Sequence, residues 1–133
     1  MIADANAVLA LVVDDRPEQT VVVLEAIATA VAAGGWLNVP MVVVAEVAFV
    51  LERGYRFDRR AAATTLLELL AAPGLRASAP ARLDHALRLV LERPALSIVD
   101  ALVLEEAVER GDEVLTFDRL MQRTALEYME ISG

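Results

Sequence analysis

The sequence has no cysteine, no lysine and a single histidine, His85, among its 133 residues. The lack of cysteine excludes disulfides and thiolate metal sites. One histidine, which we place at the surface, leaves little room for imidazole-based zinc chemistry or a Ser-His-Asp triad. Without lysine there is no Schiff-base chemistry, no phosphate-loop lysine and no phospho-receiver site. Any bound metal would therefore be held by oxygen, which favours magnesium or manganese.

Aromatic residues are also scarce, at 5% of the chain, whereas 57% of the residues are hydrophobic. The core must therefore consist mostly of alanine, valine and leucine, a mixture that suits helices packed on a small sheet. The length, and the lack of any long linker or internal repeat, predict a single domain over residues 1–133.

The net charge of −8 argues against a domain that binds nucleic acid through a generally basic surface. It does not exclude nucleic acid as a substrate, because local arginines and bound metal can offset it. The chain shows no basic leader and no run of about 20 apolar residues. We therefore expect a soluble, cytoplasmic protein with no membrane segment.

Hydrophobic periodicity, with glycine and proline as breakers, predicts short strands that alternate with helices. The predicted strands are 1–3, 36–39, 75–77 and 113–116, with a possible edge strand at 127–131. The predicted helices are 5–13, 18–33, 40–52, 58–72, 81–92, 97–111 and 118–124, with a turn at Asp14, Asp15 and Pro17. This order predicts an α/β fold, a small and mainly parallel sheet flanked by helices on both faces.

Four acidic residues interrupt otherwise apolar segments. Asp4 lies in MIADANAVLALVV, Glu46 in PMVVVAEVAFVL, Asp100 in SIVDALVL, and Asp118 ends EVLTFD. A carboxylate on an apolar face is costly unless it is paired, hydrogen-bonded or bound to a cation. Ligands of open parallel sheets bind at the carboxyl ends of the strands, which Asp4 and Asp118 are predicted to follow directly. The four acids therefore predict one shared pocket that binds a divalent metal.

Each acid also has a structural explanation. Asp4 and Asp118 could each be the N-cap of the helix that follows. Glu46 could form a buried ion pair with Arg53. Asp100 could form a capping box with Ser97, three residues before it.

The helical period predicts that Asp100 points inward. Val103, Leu104 and Ala107 share its face, whereas Glu105 and Glu109 lie on the opposite side, which we expect to be solvated. Capping and metal binding are compatible here, because the start of a helix is where an inward carboxylate can reach the strand ends.

Clustered carboxylates repel one another unless a cation compensates them. A water deprotonated by bound magnesium can attack a phosphodiester in line, as in metal-dependent nucleases. The motifs resemble those of PIN-domain ribonucleases, particularly the VapC-type toxins of bacterial toxin–antitoxin pairs. The matching segments are Asp4-Ala5-Asn6 with its apolar helix, Glu46 in the middle of a helix, Asp100-Ala101-Leu102 in a helix ending at Gly111, and Thr116-Phe117-Asp118.

The resemblance spans essentially the whole chain and implies a three-layer α/β/α domain with nuclease activity. It implies that Asp4 and Asp100 are the principal Mg²⁺ or Mn²⁺ ligands and that Asp118 completes the acidic site. Glu46 would bind metal or help to activate the attacking water, while Asn6 and Thr116 would orient these groups. The chain departs from the pattern at Ala5, where a serine or threonine is usual.

The implied partners are an RNA substrate, a cognate antitoxin protein and a second copy of the chain. The apolar helix from Val21 to Val31 is expected to be mostly core, with part of it available for a dimer surface. The alternative function is a catalytically inactive PIN-like module that binds protein or RNA. Six arginines could contact RNA, or the first four could lie in a solvated loop and helix start: Arg53, Arg56, Arg59, Arg60, Arg119 and Arg123.

Overall fold

The sheet at the centre of the molecule is small and parallel. The computed structural model describes residues 1–13 and 15–132, with side chains described as far as residue 128. Strand β1 (Leu37–Val39) pairs with β2 (Leu75–Ala77), and Leu37 lies opposite Leu75. On its other side, β1 is bridged in parallel by Ile2. The elements around the sheet are α1 (Ala5–Val12), α2 (Pro17–Ala32), α3 (Met41–Arg53), α4 (Arg59–Leu70), α5 (Pro80–Glu92), α6 (Ile98–Arg110) and α7 (Arg119–Ser132).

The helix boundaries follow local chemistry. Pro17 and Pro80 occupy the first helical positions of α2 and α5, where a missing N–H costs nothing. Asp58 caps α4 by accepting a hydrogen bond from the Ala61 amide at 2.7 Å. Gly111 ends α6 in the left-handed conformation, at φ 68°. The predicted starts of α2, α4 and α5 and the predicted end of α6 are therefore confirmed to within a few residues.

The core is aliphatic, as the composition predicts. Helix α5 shows why, since Leu83, Ala86, Leu87 and Val90 recur at the helical period and are all buried. Helix α5 packs against both α4 and α6. The largest fully buried side chains are Leu51, Leu66, Leu83, Leu87, Leu96, Ile98, Leu104, Val8, Val39, Val44, Val47 and Val90. The predicted α/β fold, with helices around a small parallel sheet, is confirmed and is consistent with three α/β/α layers.

Three predicted strands differ from the structure. Residues 1–3 contribute a single bridge at Ile2. Residues 113–116 form a loop that pairs with no strand of the described chain. The predicted edge strand at 127–131 lies within α7, because Met121, Ala125 and Tyr128 follow the helical period and pack against the core. Asp14 of the predicted turn lies outside the described residues.

Helix α2 is far more exposed than its composition suggests. Val23 is its one buried residue, whereas Val21, Val22, Leu24 and Val31 are all exposed. The expectation that this helix is mostly core is therefore wrong. None of the helices in the described ranges is long and apolar enough to span a bilayer.

Candidate metal centre

Two helices that carry candidate residues start at the same edge of the sheet. Ile2 lies beside Asn38 in a parallel bridge, and the Ala3 amide donates to the Asn38 carbonyl at 2.9 Å. Two residues further along each segment, Asp4 and Pro40 immediately precede α1 and α3. The carboxyl ends of these parallel segments therefore bring the starts of α1 and α3 together, as expected for a ligand site in such a sheet.

The helices associated with the other candidates pack one against the next, starting from α1. Helix α1 packs against α3, α3 against α6, and α6 against α7. Asp100 lies in the first turn of α6, and Asp118 immediately precedes α7. Glu46 is five residues beyond the start of α3, which is about 8 Å along the helix axis.

Asp4 is exposed and acts as the N-cap of α1. Its Oδ1 accepts a hydrogen bond from the Ala7 amide at 3.0 Å. The structural explanation proposed for Asp4 is therefore correct, and Asp4 is not buried in the core. The cap uses one carboxylate oxygen, so Oδ2 is available to a ligand.

Asp118 is arranged in the same way at the start of α7. Its Oδ1 accepts from the Met121 amide at 2.8 Å, and its own amide donates to Thr116 Oγ1 at 3.1 Å. Thr116 thus fixes the backbone that carries the carboxylate. Asp118 is exposed and follows a loop, so the prediction that it ends a buried strand is wrong.

Glu46 lies on the solvent-facing side of α3. Its neighbours Val42 and Phe49 are 74% and 61% exposed, and Glu46 itself is exposed. The apolar sequence around Glu46 suggested a buried face, but α3 buries Val43, Val47 and Leu51 instead. The proposed ion pair with Arg53 is absent from the described side chains, and the Arg53 guanidinium lies 6.0 Å from the centre of the Phe49 ring.

Asp100 is half-buried, and its carboxylate takes no part in capping the helix. Ser97 Oγ accepts a hydrogen bond from the Asp100 amide at 3.0 Å, which caps α6. The reciprocal bond of a capping box, from the Ser97 amide to the Asp100 carboxylate, does not occur among the described residues. The side chain of Asp100 is therefore free to contact a ligand.

The buried acid of α6 is Glu105, which the helical period had assigned to the solvent side. Glu105 is 5% exposed, and its Oε1 accepts a hydrogen bond from the Tyr128 hydroxyl of α7. His85, which is confirmed as exposed, places Nδ1 3.8 Å from Glu105 Oε2. Burial and the bond to Glu105 raise the pKa of Tyr128 to about 12. Nothing in the α6 sequence marks Glu105, because α7 is the element that covers it.

Arg59, a candidate RNA contact, has a structural role. Its guanidinium bonds Glu52 at 2.9 Å and donates to the carbonyls of Pro94 and Ala95 at 2.8 and 3.1 Å. It therefore ties the start of α4 to the turn before α6. Arg60, beside it, is exposed.

The four candidate carboxylates have no positive partner among the described residues. Five arginines pair with acids elsewhere, but in the described part of the chain no arginine or histidine pairs with Asp4, Glu46, Asp100 or Asp118. An all-oxygen donor set without a counter-charge fits a hard divalent cation such as Mg²⁺ or Mn²⁺.

The side chains do not by themselves enclose such an ion. Within residues 1–13 and 15–128, no three acidic or histidine side chains converge as metal ligands would. Among the described residues, three open surface depressions are lined by other side chains, apart from Asn6, which lines the depression between α1 and α2. The starts of α1 and α3 thus meet at one edge of the sheet, whereas no three of the candidate carboxylates converge among the described residues.

Comparison with known proteins identifies the family. The family model described as the PIN domain matches residues 1–127. No curated protein and no solved structure matches the chain significantly.

Proposed function

Because this chain belongs to the PIN domain family, whose members are usually nucleases, we propose that it is a metal-dependent endoribonuclease. The observation that carries this proposal is the set of four carboxylates that lack a cationic partner within the described residues. A protein with 12 arginines could neutralise these acids internally. Unpaired carboxylates at the helix starts (Asp4, Asp100 and Asp118) suit a site that a metal ion completes.

In this proposal Asp4 and Asp100 are the principal ligands, and Asp118 completes the acidic site. Bound Mg²⁺ or Mn²⁺ would supply a water of lowered pKa and stabilise the leaving oxygen of the phosphodiester. Glu46 would bind the metal, directly or through water, or accept a proton from the attacking water.

The surrounding residues hold these groups in position. The Ser97 hydroxyl fixes the first turn of α6, which carries Asp100. The Thr116 hydroxyl fixes the backbone of Asp118. Both bonds act on backbone amides, so they orient the segments without occupying the carboxylates.

We further propose that the nuclease is the toxin of a toxin–antitoxin pair and forms a homodimer. The support for the toxin role is the sequence resemblance to VapC-type proteins. The exposed valines and leucine of α2 offer an apolar surface for a second copy or for an antitoxin: Val21, Val22, Leu24 and Val31. Expression alone should arrest growth, and co-expression of the protein encoded beside it should restore growth.

The nuclease proposal is tested by incubating structured RNAs with wild-type protein in Mg²⁺ or Mn²⁺. Asp4→Asn and Asp100→Asn remove the charge while keeping the shape, and Asp4→Asn also retains a capping oxygen. Cleavage by each variant should fall by at least about 100-fold. Calorimetry with Mn²⁺ alone should show that each variant binds the ion more weakly than wild type does.

Asp58→Asn is the matched control, since Asp58 caps α4 in the same way as Asp4 caps α1. This variant should cleave like wild type. If Asp100→Asn cleaves RNA as fast as wild type, the assignment of Asp100 as a metal ligand is wrong. A wild-type protein that binds RNA without cutting it would favour the alternative, a catalytically inactive binding module.

A further inference from the structure

The loop before α7 holds two large apolar side chains in water. Phe117 is 96% exposed and Leu115 is 93% exposed, the highest values among the large hydrophobic residues described. Burying either side chain would be favourable. Phe117 is also adjacent in sequence to Asp118, so their Cα atoms are about 3.8 Å apart. An exposed aromatic ring therefore adjoins a candidate metal ligand.

The backbone on both sides of Phe117 is fixed. The Asp118 amide donates to Thr116 Oγ1 at 3.1 Å, and Gln122 Nε2 donates to the Thr116 carbonyl at 2.8 Å. Asp118 in turn caps α7 through the Met121 amide. The ring is thus presented by a segment that is bonded to the first turn of α7.

Two arginines follow Phe117 on an otherwise acidic protein. Arg119 and Arg123 are exposed and four residues apart, so they share one face of α7. Neither forms an ion pair with any acid in the described residues, whereas five other arginines do. These two guanidinium groups can therefore contact phosphates, despite the net charge of −8.

We propose that Phe117 stacks on a base of single-stranded RNA beside the candidate metal centre, while Arg119 and Arg123 contact the flanking phosphates. This inference rests on the proposed ribonuclease function, because RNA is the substrate of that same site. An aromatic ring next to cationic side chains is the combination that binds single strands. A protein partner would be expected to require a broader apolar surface with few charges at its centre. Stacking is sequence-tolerant, so Phe117 would set affinity more than base preference.

The first test measures the affinity of labelled oligouridylate and oligoadenylate of about ten nucleotides. EDTA in the buffer prevents metal-dependent cleavage and separates binding from catalysis. Phe117→Ala should weaken binding of both RNAs by about tenfold, and Phe117→Trp should retain it. Trp36→Ala is the control, because Trp36 is an exposed aromatic residue at the opposite end of β1 from Asp4. The Trp36→Ala variant should bind both RNAs with the affinity of wild type.

The second test observes stacking directly. Trp36 is the only tryptophan in the sequence, so a W36F/F117W double variant carries its single indole at the proposed stacking position. RNA should quench the indole fluorescence of this variant and leave that of wild type nearly unchanged. Sedimentation of Phe117→Ala and wild type should give the same oligomeric state.

The outcomes separate this inference from the nuclease proposal. Wild-type affinity in Phe117→Ala would overturn the stacking role even if the wild-type protein cuts RNA. Weakened binding in Phe117→Ala would support it even if the wild-type protein proves unable to cut. A shift to monomer with unchanged RNA affinity would instead assign Phe117 to an interface between copies and overturn the inference. Absence of RNA binding by wild type would overturn it as well.

Discussion

The hydroxyl of Tyr128 in α7 donates a hydrogen bond to the buried carboxylate of Glu105 in α6. This bond joins the last helix to the core and satisfies the acid that α7 covers. Arg93 and Glu127 add an ion pair at 2.6 Å between the end of α5 and α7. The position of α7, and with it Asp118 and Phe117, therefore depends on contacts made far along the helix from the candidate site.

Removing the Tyr128 hydroxyl should destabilise the protein. Tyr128→Phe leaves Glu105 with a buried oxygen that has lost its donor, and we expect a loss of about 1–3 kcal/mol in the free energy of unfolding. Tyr55→Phe is the matched control, because its bond to Asp15 is exposed and should contribute less than about 0.5 kcal/mol. Urea denaturation of both variants tests this, and equal stabilities would show that the Glu105 contact is not stabilising.

The same residue predicts a loss of stability at alkaline pH. The pKa of Tyr128 is raised to about 12 in the folded protein, whereas an unfolded tyrosine titrates near pH 10. The folded state thus holds the proton more tightly. This contribution is fully present below about pH 10 and is lost as the pH rises through about 12.

Unfolding free energies should be measured across this range in a Tyr55→Phe background, since the pKa of Tyr55 is also raised, by its bond to Asp15. Adding Tyr128→Phe should remove part of the decline. If the unfolding free energy falls equally with and without the Tyr128 hydroxyl, Tyr128 is not the group responsible.

The capping and metal roles of Asp4 can be separated by comparison with Asp58. Asp4→Asn keeps the cap, so its stability should stay within about 0.5 kcal/mol of wild type while cleavage is lost. Asp58→Ala removes a cap that has no catalytic role, so it should lose about 1 kcal/mol and retain cleavage. Thermal melts and cleavage rates, measured on the same samples of Asp4→Asn and Asp58→Ala, test these expectations. Loss of stability and activity together in Asp4→Asn would point to a folding defect.

Glu46 should matter for activity and not for stability, because it is exposed on α3. Glu46→Gln should lower the cleavage rate by at least about tenfold and change the unfolding free energy by less than about 0.5 kcal/mol. Glu25→Gln, an exposed mid-helix change in α2, is the control and should alter neither quantity. A fully active Glu46→Gln variant would exclude Glu46 from the site.

Arg59 should prove structural. Arg59→Ala removes bonds to Glu52 and to two carbonyls, so we expect a loss of about 2–3 kcal/mol in unfolding free energy. Arg60→Ala, an exposed neighbour, should cost less than about 0.5 kcal/mol. At a temperature where Arg59→Ala remains folded, its RNA affinity should match that of wild type. A large drop in affinity would instead show that Arg59 contacts RNA.

Local features were predictable because their causes are local. The caps at Asp4, Asp58 and Ser97 each depend on a side chain and an amide three residues away, which the sequence displays directly. Glu46 and Glu105 were misplaced because the apolar residues around each acid indicate that a face exists, but not which neighbouring element covers it. The strand predicted at 113–116 failed for a similar reason, since pairing requires a partner strand elsewhere in the chain.

The sequence by itself determined the donor chemistry: no thiol, no lysine, one histidine, and carboxylates at Asp4, Glu46, Asp100 and Asp118. It also determined where most helices begin and end. Only the tertiary structure decided that α7 covers Glu105 while Glu46 and Asp118 face solvent, and that the starts of α1 and α3 meet at one edge. Burial depends on what packs against a face, and that contact joins residues distant in sequence, so the periodicity of a single helix does not contain it.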